Sequence, residues 1–166
     1  MNLAGYDRES IVNGDGIRAT IYISGCRHYC RGCFNSKAWS FDYGEPFTPD
    51  LQLTIIKDIT ENPLLDGITL CGGDPFFSAR EVLAFVQLLK QHKPDIHIWA
   101  YTGFTYELLL SDADQLALLQ QCDVLVDGPF LLEEKDLTLR FRGSRNQRII
   151  DVQRSLCKGR AELWDH

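Results

Sequence analysis

Ile17-Arg18-Ala19-Thr20-Ile21-Tyr22-Ile23-Ser24-Gly25-Cys26-Arg27-His28-Tyr29-Cys30-Arg31-Gly32-Cys33-Phe34-Asn35 joins a β-branched run to a loop with three cysteines in C-x3-C-x2-C spacing. The run from Ile17 to Ile23 has the composition of a strand, so the cysteines fall just past a strand end. Three closely spaced thiolates suit three corners of a 4Fe-4S cubane, whose fourth corner is held by a fourth cysteine in electron-carrier ferredoxins. No fourth cysteine lies near in sequence, so one iron would stay open to a substrate or cofactor. A zinc site using Cys26, His28, Cys30 and Cys33 is the competing reading. It is cramped, because structural zinc sites space their ligand pairs by a dozen residues or more. The spacing favours iron–sulfur, with His28 as a polar loop residue.

Outward from this stretch, strand-like and helix-like segments alternate. Thr48 and Pro49 read as a helix cap and first turn, followed by Leu51, Ile55, Ile56 and Ile59 on one helical face. Gly67–Cys71 reads as a short strand ending at Gly72-Gly73. Ser78-Ala79-Arg80-Glu81 has the capping-box form, with Val82, Phe85, Val86 and Leu89 as the buried stripe behind it. Ile96–Tyr101 is a third strand, Ser111 opens a helix reaching about Gln121, Asp123–Asp127 is a fourth strand and Arg148–Val152 a last one. This alternation implies an α/β fold with a parallel sheet and right-handed crossovers. At 166 residues the chain is too short for a closed (β/α)8 barrel, so the expectation is one domain over 1–166, built as an open, partial (β/α) barrel.

Ligands in such folds sit at the carboxyl ends of the strands. The cysteine loop, Gly72-Gly73-Asp74-Pro75, Thr102-Gly103-Phe104 and Gly128-Pro129 all follow strands there, which argues for one site. Each motif also has a plain reading. Gly-Gly and Asp-Pro are turn punctuation; alternatively, two residues without side chains let a ligand lie against the backbone. Arg18 alternates with Thr20 and Tyr22 and reads as a solvated strand residue, at the end of the turn-like Asn13-Gly14-Asp15-Gly16. Arg140 to Arg148 is a basic run that reads first as a solvated loop and second as an anion or partner-protein contact. Trp99, Tyr101 and Phe104 read as core aromatics, Tyr101 or Phe104 lying near a ligand. Cys122 reads as a small buried hydrophobe, Cys157 as incidental, and Cys71 draws notice because it abuts Gly72-Gly73.

The net charge of −6 argues against a dedicated nucleic-acid binder. No apolar stretch approaches a membrane span, and the N-terminal residues lack a signal-peptide pattern. The expected location is the cytoplasm, where six cysteines do not imply disulfides.

Taken in order, Ile11-Val12-Asn13-Gly14-Asp15-Gly16-Ile17-Arg18, the cysteine loop, Gly72-Gly73-Asp74-Pro75, Tyr101-Thr102-Gly103-Phe104, Val126-Asp127-Gly128 and Arg142-Gly143-Ser144-x-Asn146-Gln147-Arg148 resemble the radical S-adenosylmethionine (SAM) superfamily. Within it they resemble the glycyl-radical-enzyme activating family, and the late Arg-Gly-Ser-x-Asn-Gln motif is most similar to the branch acting on anaerobic ribonucleoside-triphosphate reductase. Departures are Gly32 before the third cysteine, Gly14-Asp15-Gly16 where Gly-Pro-Gly is common, and Cys71 where Ser or Thr is usual. The resemblance implies that Cys26, Cys30 and Cys33 bind three irons of a 4Fe-4S cluster and that SAM chelates the fourth. It implies that Gly72 and Gly73, with Asp74, hold the methionine end, while Gly32, Cys33 and Phe34 lie along the adenine. It also implies cleavage of SAM to methionine and a 5′-deoxyadenosyl radical, fed by a one-electron donor such as a flavodoxin, and hydrogen abstraction from a glycine of the reductase. Two rivals remain: an activator of another glycyl radical enzyme such as pyruvate formate-lyase, and a non-catalytic zinc or iron–sulfur binding module.

Overall fold

A computed structural model describes residues 1–165. In chain order the elements are β1 (Asn2–Ser10), β2 (Arg18–Ile23), β3 (Glu45–Pro46), α1 (Pro49–Glu61), β4 (Gly67–Gly72), α2 (Ala79–His92), β5 (Ile98–Tyr101), α3 (Tyr106–Leu109), α4 (Ala113–Leu119), β6 (Val124–Asp127), β7 (Arg148–Asp151) and α5 (Val152–Lys158). The strands form one open sheet in the order β3-β1-β2-β4-β5-β6-β7. Its centre, β2-β4-β5-β6, is parallel as the alternation predicts. Each central strand steps the same way across the sheet, so right-handed crossovers put the intervening helices on one face.

The flanks correct the expectation of a parallel sheet. β1 pairs antiparallel with β2 and β7 antiparallel with β6. No helix separates β1 from β2, and a short connection can only return a strand antiparallel. β1 carries no strand signature, because only Leu3 of its nine residues is buried; pairing on both sides holds it. At the other end β7 stops at Asp151, whose side chain accepts from Arg154 N at 3.1 Å and starts α5.

Period-two alternation divides the sheet's faces. Ile98, Ala100, Leu125 and Ile150 enter the main core, where they meet Ile55, Ile56 and Ile59 of α1, Val82, Phe85, Val86 and Leu89 of α2, and Leu118 and Leu119 of α4. Each of the Val, Leu, Ile and Phe side chains among them, fully buried, contributes about 1.5–3 kcal/mol of transfer free energy. Trp99, Val124 and Val126 face the other way and are covered by Phe141, Ile149 and Trp164.

Two helix starts differ from the sequence reading. Thr48 caps α1 as expected, accepting from Leu51 N at 3.2 Å. Ser78, however, makes no capping hydrogen bond, since a 3-10 turn over Pro75–Ser78 runs straight into α2. Asp74 caps that turn instead, accepting from Phe76 N at 2.9 Å. The helix expected from Ser111 to Gln121 is α4, capped by Asp112, and a further short helix, α3, capped by Thr105, precedes it. Asp112 lies one residue past Ser111 and caps at least as well as a serine.

Arg18 is buried rather than solvated, at 2% exposure. Its guanidinium donates to Ile68 O, Thr69 Oγ1, Asp15 O and His97 O at 2.8–3.0 Å. Burial lowers its pKa to about 10 despite the carboxylates of Asp66, Asp123 and Asp15. Its neighbour His97, with Nδ1 3.0 Å from Arg18 Nη2, is held below the ordinary 6.5 by burial and by Arg18, against the pull of Asp123 and Asp15. The unfolded chain therefore protonates at His97 before the folded one does. Stability is complete above that ordinary value and declines as pH falls through it. The urea midpoint should drop between about pH 7.5 and about pH 5, and drop less in His97→Gln; matching acid limbs would rule this out. Among the described residues no helix is long and apolar enough to cross a membrane.

Candidate active site

The four strand-end motifs converge as the sequence predicts. A cavity of about 280 Å³ opens at the carboxyl ends of the parallel strands. The cysteine loop supplies Cys26, Cys30, Cys33 and Phe34, the end of β4 supplies Cys71, Gly72 and Gly73, and the end of β5 supplies Tyr101, Thr102 and Gly103. Gly128, Phe130 and Gln147 close the far side.

Backbone bonds seat the cysteine loop. Gly25 N donates to Ala38 O at 2.8 Å and Cys26 N to Trp39 O at 3.0 Å, while Gly73 N donates to Ile23 O at 2.8 Å and Asp74 N to Gly25 O at 2.9 Å. The loop and the β4 end are thus laced main chain to main chain, which accounts for both glycines without a ligand. Gly72 has φ +121°, and a Cβ there would lie 2.4 Å from Ile23 N. At Gly73 a Cβ would lie 2.6 Å from Ala38 O and 2.7 Å from Gly25 O.

All six cysteines are free thiols. Burial pushes Cys26 up to about 11, the nearby Asp74, Cys30 and Cys33 adding to the effect against a backbone hydrogen bond at His28. Burial likewise raises Cys30. Three thiolates side by side in a half-buried cavity are unfavourable until a cationic centre neutralises them, and this donor set fits an iron–sulfur cluster. Among the described residues no three His, Cys, Asp or Glu side chains close tightly enough to hold one ion.

His28 is not a spare ligand. Its Nε2 donates to Asp74 Oδ2 at 2.8 Å, and its ring packs on Phe77 and Phe104 with centroids 4.9 and 4.6 Å away. Asp74 itself is 1% exposed and does not line the cavity. Besides His28, its Oδ2 accepts from Thr102 Oγ1 and Gly103 N, both at 2.9 Å, while Oδ1 accepts from Phe76 N. One carboxylate therefore ties together the cysteine loop, the β4 turn and the β5 end. Gly32 also stands outside the lining, since a Cβ there would meet Leu132 Cδ1 at 2.9 Å. Phe34 is on the rim, 70% exposed, between the Phe130 ring at 5.3 Å and the Lys135 ammonium at 5.3 Å.

The late motif is internal scaffolding. Gln147 Oε1 accepts from Gly143 N at 2.9 Å and its Nε2 donates to Gly128 O at 3.0 Å. Asn146 Nδ2 donates to Pro129 O at 2.7 Å, and Ser144 Oγ accepts from Leu131 N at 3.2 Å. Together they hold 128–131, and with it Phe130, beside the cysteine loop. The basic run is correspondingly engaged within the chain. Arg142 donates to Gln147 O at 2.6 Å, Arg148 pairs with Asp127 and Glu107, and Arg140 Nη2 lies 3.2 Å from Asp15 Oδ1.

Sequence reasoning missed Tyr22 and Asn13 as cavity residues. Tyr22 stands opposite Cys71 in the parallel register, and its hydroxyl accepts from Asn13 Nδ2 at 3.1 Å and donates to Asp7 Oδ2 at 2.9 Å. Strand alternation placed Tyr22 with Arg18 and Thr20, but not which face was inward. Cys71 shares that face, and burial raises its thiol. Tyr101, expected near a ligand, lines the cavity while its hydroxyl donates to Phe141 O at 2.7 Å. Cys122 is buried, its thiol raised to about 12 by that burial, and Cys157 is exposed, both as expected.

The family model described as a 4Fe-4S single cluster domain matches residues 12–150. The anaerobic ribonucleoside-triphosphate reductase-activating protein of Pasteurella multocida (strain Pm70) is 41% identical over 152 residues, covering 90% of this chain and 96% of its own. The protein of that name from Escherichia coli (strain K12) is 39% identical over 150 residues, covering 89% and 96%. That of Enterobacteria phage T4 is 34% identical over 151 residues, covering 87% and 92%. Matched by these relatives and by the family model along most of its length, this chain belongs to the anaerobic ribonucleoside-triphosphate reductase-activating protein family and carries a 4Fe-4S single cluster domain.

Proposed function

We propose that this protein activates an anaerobic ribonucleoside-triphosphate reductase by generating a glycyl radical on it, through a 4Fe-4S cluster and SAM. The observation that carries the reading is one cavity at the ends of parallel strands with Cys26, Cys30 and Cys33 on one wall and Gly72 and Gly73 on another. Cys26, Cys30 and Cys33 hold three irons, and the main chain at Gly72 and Gly73 receives the methionine end of SAM. Cys33 and Phe34 border the adenine, with Gly32 shaping the turn just before them. Asp74 serves by fixing the three loops that surround the cofactors. Held by Cys26, Cys30 and Cys33, the cluster would supply, with an electron from the external donor, reductive cleavage of SAM to methionine and the 5′-deoxyadenosyl group that would abstract hydrogen from the partner's glycine Cα.

The chain's own residues bind, orient and shield. The open sheet acts as a partial barrel in a single radical SAM core domain, and its unclosed side admits a polypeptide. The reading places the protein in the cytoplasm, supplied by an external one-electron donor such as a flavodoxin, with no nucleic-acid partner. The test is anaerobic reconstitution, dithionite reduction and addition of SAM, with 5′-deoxyadenosine measured by chromatography. Cys30→Ala should lower its yield by about a hundredfold or more. Cleavage that survives this substitution, or no cleavage by the fully loaded parent protein even with reductase present, would overturn the reading. A glycyl radical forming on pyruvate formate-lyase and not on the reductase would move it to the first rival.

A further inference from the structure

The thiol cavity has a neighbour across Phe34. A second cavity, about 310 Å³, adjoins it and shares Asn13, Phe34 and Tyr101 with it. Its sides come from two loops, residues 11–17 between β1 and β2 and residues 128–147 between β6 and β7. The loops are linked by the pair Arg140–Asp15 at 3.2 Å, and Phe141, held at φ +66° with its ring 5.4 Å from that of Trp99, is part of the lining.

Large apolar side chains gather at this mouth. Val12 is 68% exposed, Phe34 70% and Leu137 83%, and Ile11 beside them is 71% exposed. Single exposed apolar residues are ordinary, but a contiguous group marks an interaction site. The loop that carries Leu137 is not loose. Asp136 N donates to Gly143 O at 3.2 Å, Thr138 N donates to Asp136 Oδ1 at 2.9 Å, and Arg142 is anchored on Gln147 O. A braced loop that still presents a leucine to water is preorganised for a partner.

We propose that this second cavity is the docking groove for the glycine-bearing segment of the reductase. Apolar side chains of that segment pack on Val12 and Leu137, and its main chain passes Phe34 and Tyr101 into the thiol cavity. The proposal rests on the function proposed above. The occupant is a polypeptide because the groove borders the reaction cavity along Asn13, Phe34 and Tyr101 and mixes apolar side chains with the polar groups of Asn13, Asp136 and Arg142. A small polar substrate would gain nothing from apolar contacts outside the reaction cavity. Arg142, the obvious charge to alter in the basic run, is a poor probe because its removal would unbrace the loop.

The test uses the full chain, reconstituted, with Val12→Asp and Leu137→Asp. The probes are purified anaerobic ribonucleoside-triphosphate reductase and a synthetic peptide spanning its radical glycine. Each substitution should weaken binding of both by about tenfold or more. The glycyl radical signal in electron paramagnetic resonance should fall at limiting reductase and recover at high reductase. Iron content and 5′-deoxyadenosine formed without reductase should stay within about twofold of the parent, and Val12→Ile should bind like the parent. Binding and radical yield within twofold of the parent in both Asp variants would overturn the groove. So would a change confined to self-association, read by sedimentation, which would make it a contact between copies. A parent protein that binds reductase through these residues but never cleaves SAM would sink the functional reading and leave the groove standing.

Discussion

Gly73→Ala should yield a protein that retains less than about half of the parent's iron and unfolds several degrees lower. The added carbon would sit 2.6 Å from Ala38 O, 2.7 Å from Gly25 O and 2.9 Å from Gly25 C. All three are main-chain atoms, so no side chain can swing away. Relief has to come from parting the laced backbones, which opens the bonds Gly73 N to Ile23 O and Asp74 N to Gly25 O. Overpacking costs about 1–3 kcal/mol and each hydrogen bond lost about 1 kcal/mol. For a chain of this size a loss of about 3 kcal/mol lowers the midpoint by roughly 6–12 °C. Gly25 precedes Cys26, so the same shift displaces the first of the three thiols. Iron per chain and the melting midpoint of the iron-free protein check both halves. Gly5→Ala is the control, because its added carbon meets only the Tyr22 ring, at 3.6 Å, and should change stability by no more than about 0.5 kcal/mol. Full iron and an unchanged midpoint in Gly73→Ala would show that the lacing yields easily.

Asp74→Ala should destabilise the iron-free protein by about 3–5 kcal/mol. The substitution strips partners from His28 Nε2, Thr102 Oγ1, Gly103 N and Phe76 N, all served by one carboxylate that is itself 1% exposed. Asp74→Asn is milder, near 1–2 kcal/mol: its amide oxygen can keep the three donors at Oδ2 and give up only the cap on Phe76 N. Urea unfolding without iron or SAM separates two roles. A residue that acted only by touching SAM would leave the iron-free protein as stable as the parent, whereas one that joins three loops cannot.

The contrast between these two positions shows where sequence reading reached its limit. Gly73 and Asp74 were legible as a strand-end turn beside a cysteine loop, and that placement holds. Their physical roles were not legible, because each depends on partners distant in sequence: Ala38 and Gly25 for the glycine, and His28 and Thr102 for the aspartate. The same limit explains Arg18. Its alternation with Thr20 and Tyr22 is a local fact, but which face of β2 lies inward is set by where the helices and the 128–147 loop pack. Ser78 stands at the N-cap position of α2 but makes no capping bond, because the turn capped by Asp74 runs straight into the helix, and Asp112 rather than the adjacent Ser111 caps α4.

What the sequence alone determined was local: three thiols within one loop, glycines and prolines at strand ends, helical stripes at Ile55-Ile56-Ile59 and Val82-Phe85-Val86-Leu89, and hence a parallel α/β core with its motifs on one edge. Spacing along the chain suffices for these, since neighbouring residues are bound to be close. The tertiary structure alone decided the antiparallel flanks, the burial of Arg18, the meeting of Tyr22 with Cys71 and the loop that braces Leu137 at the cavity mouth. These depend on strand register and on contacts between segments far apart in sequence, and such contacts are chosen by packing the whole sheet rather than by any stretch of it.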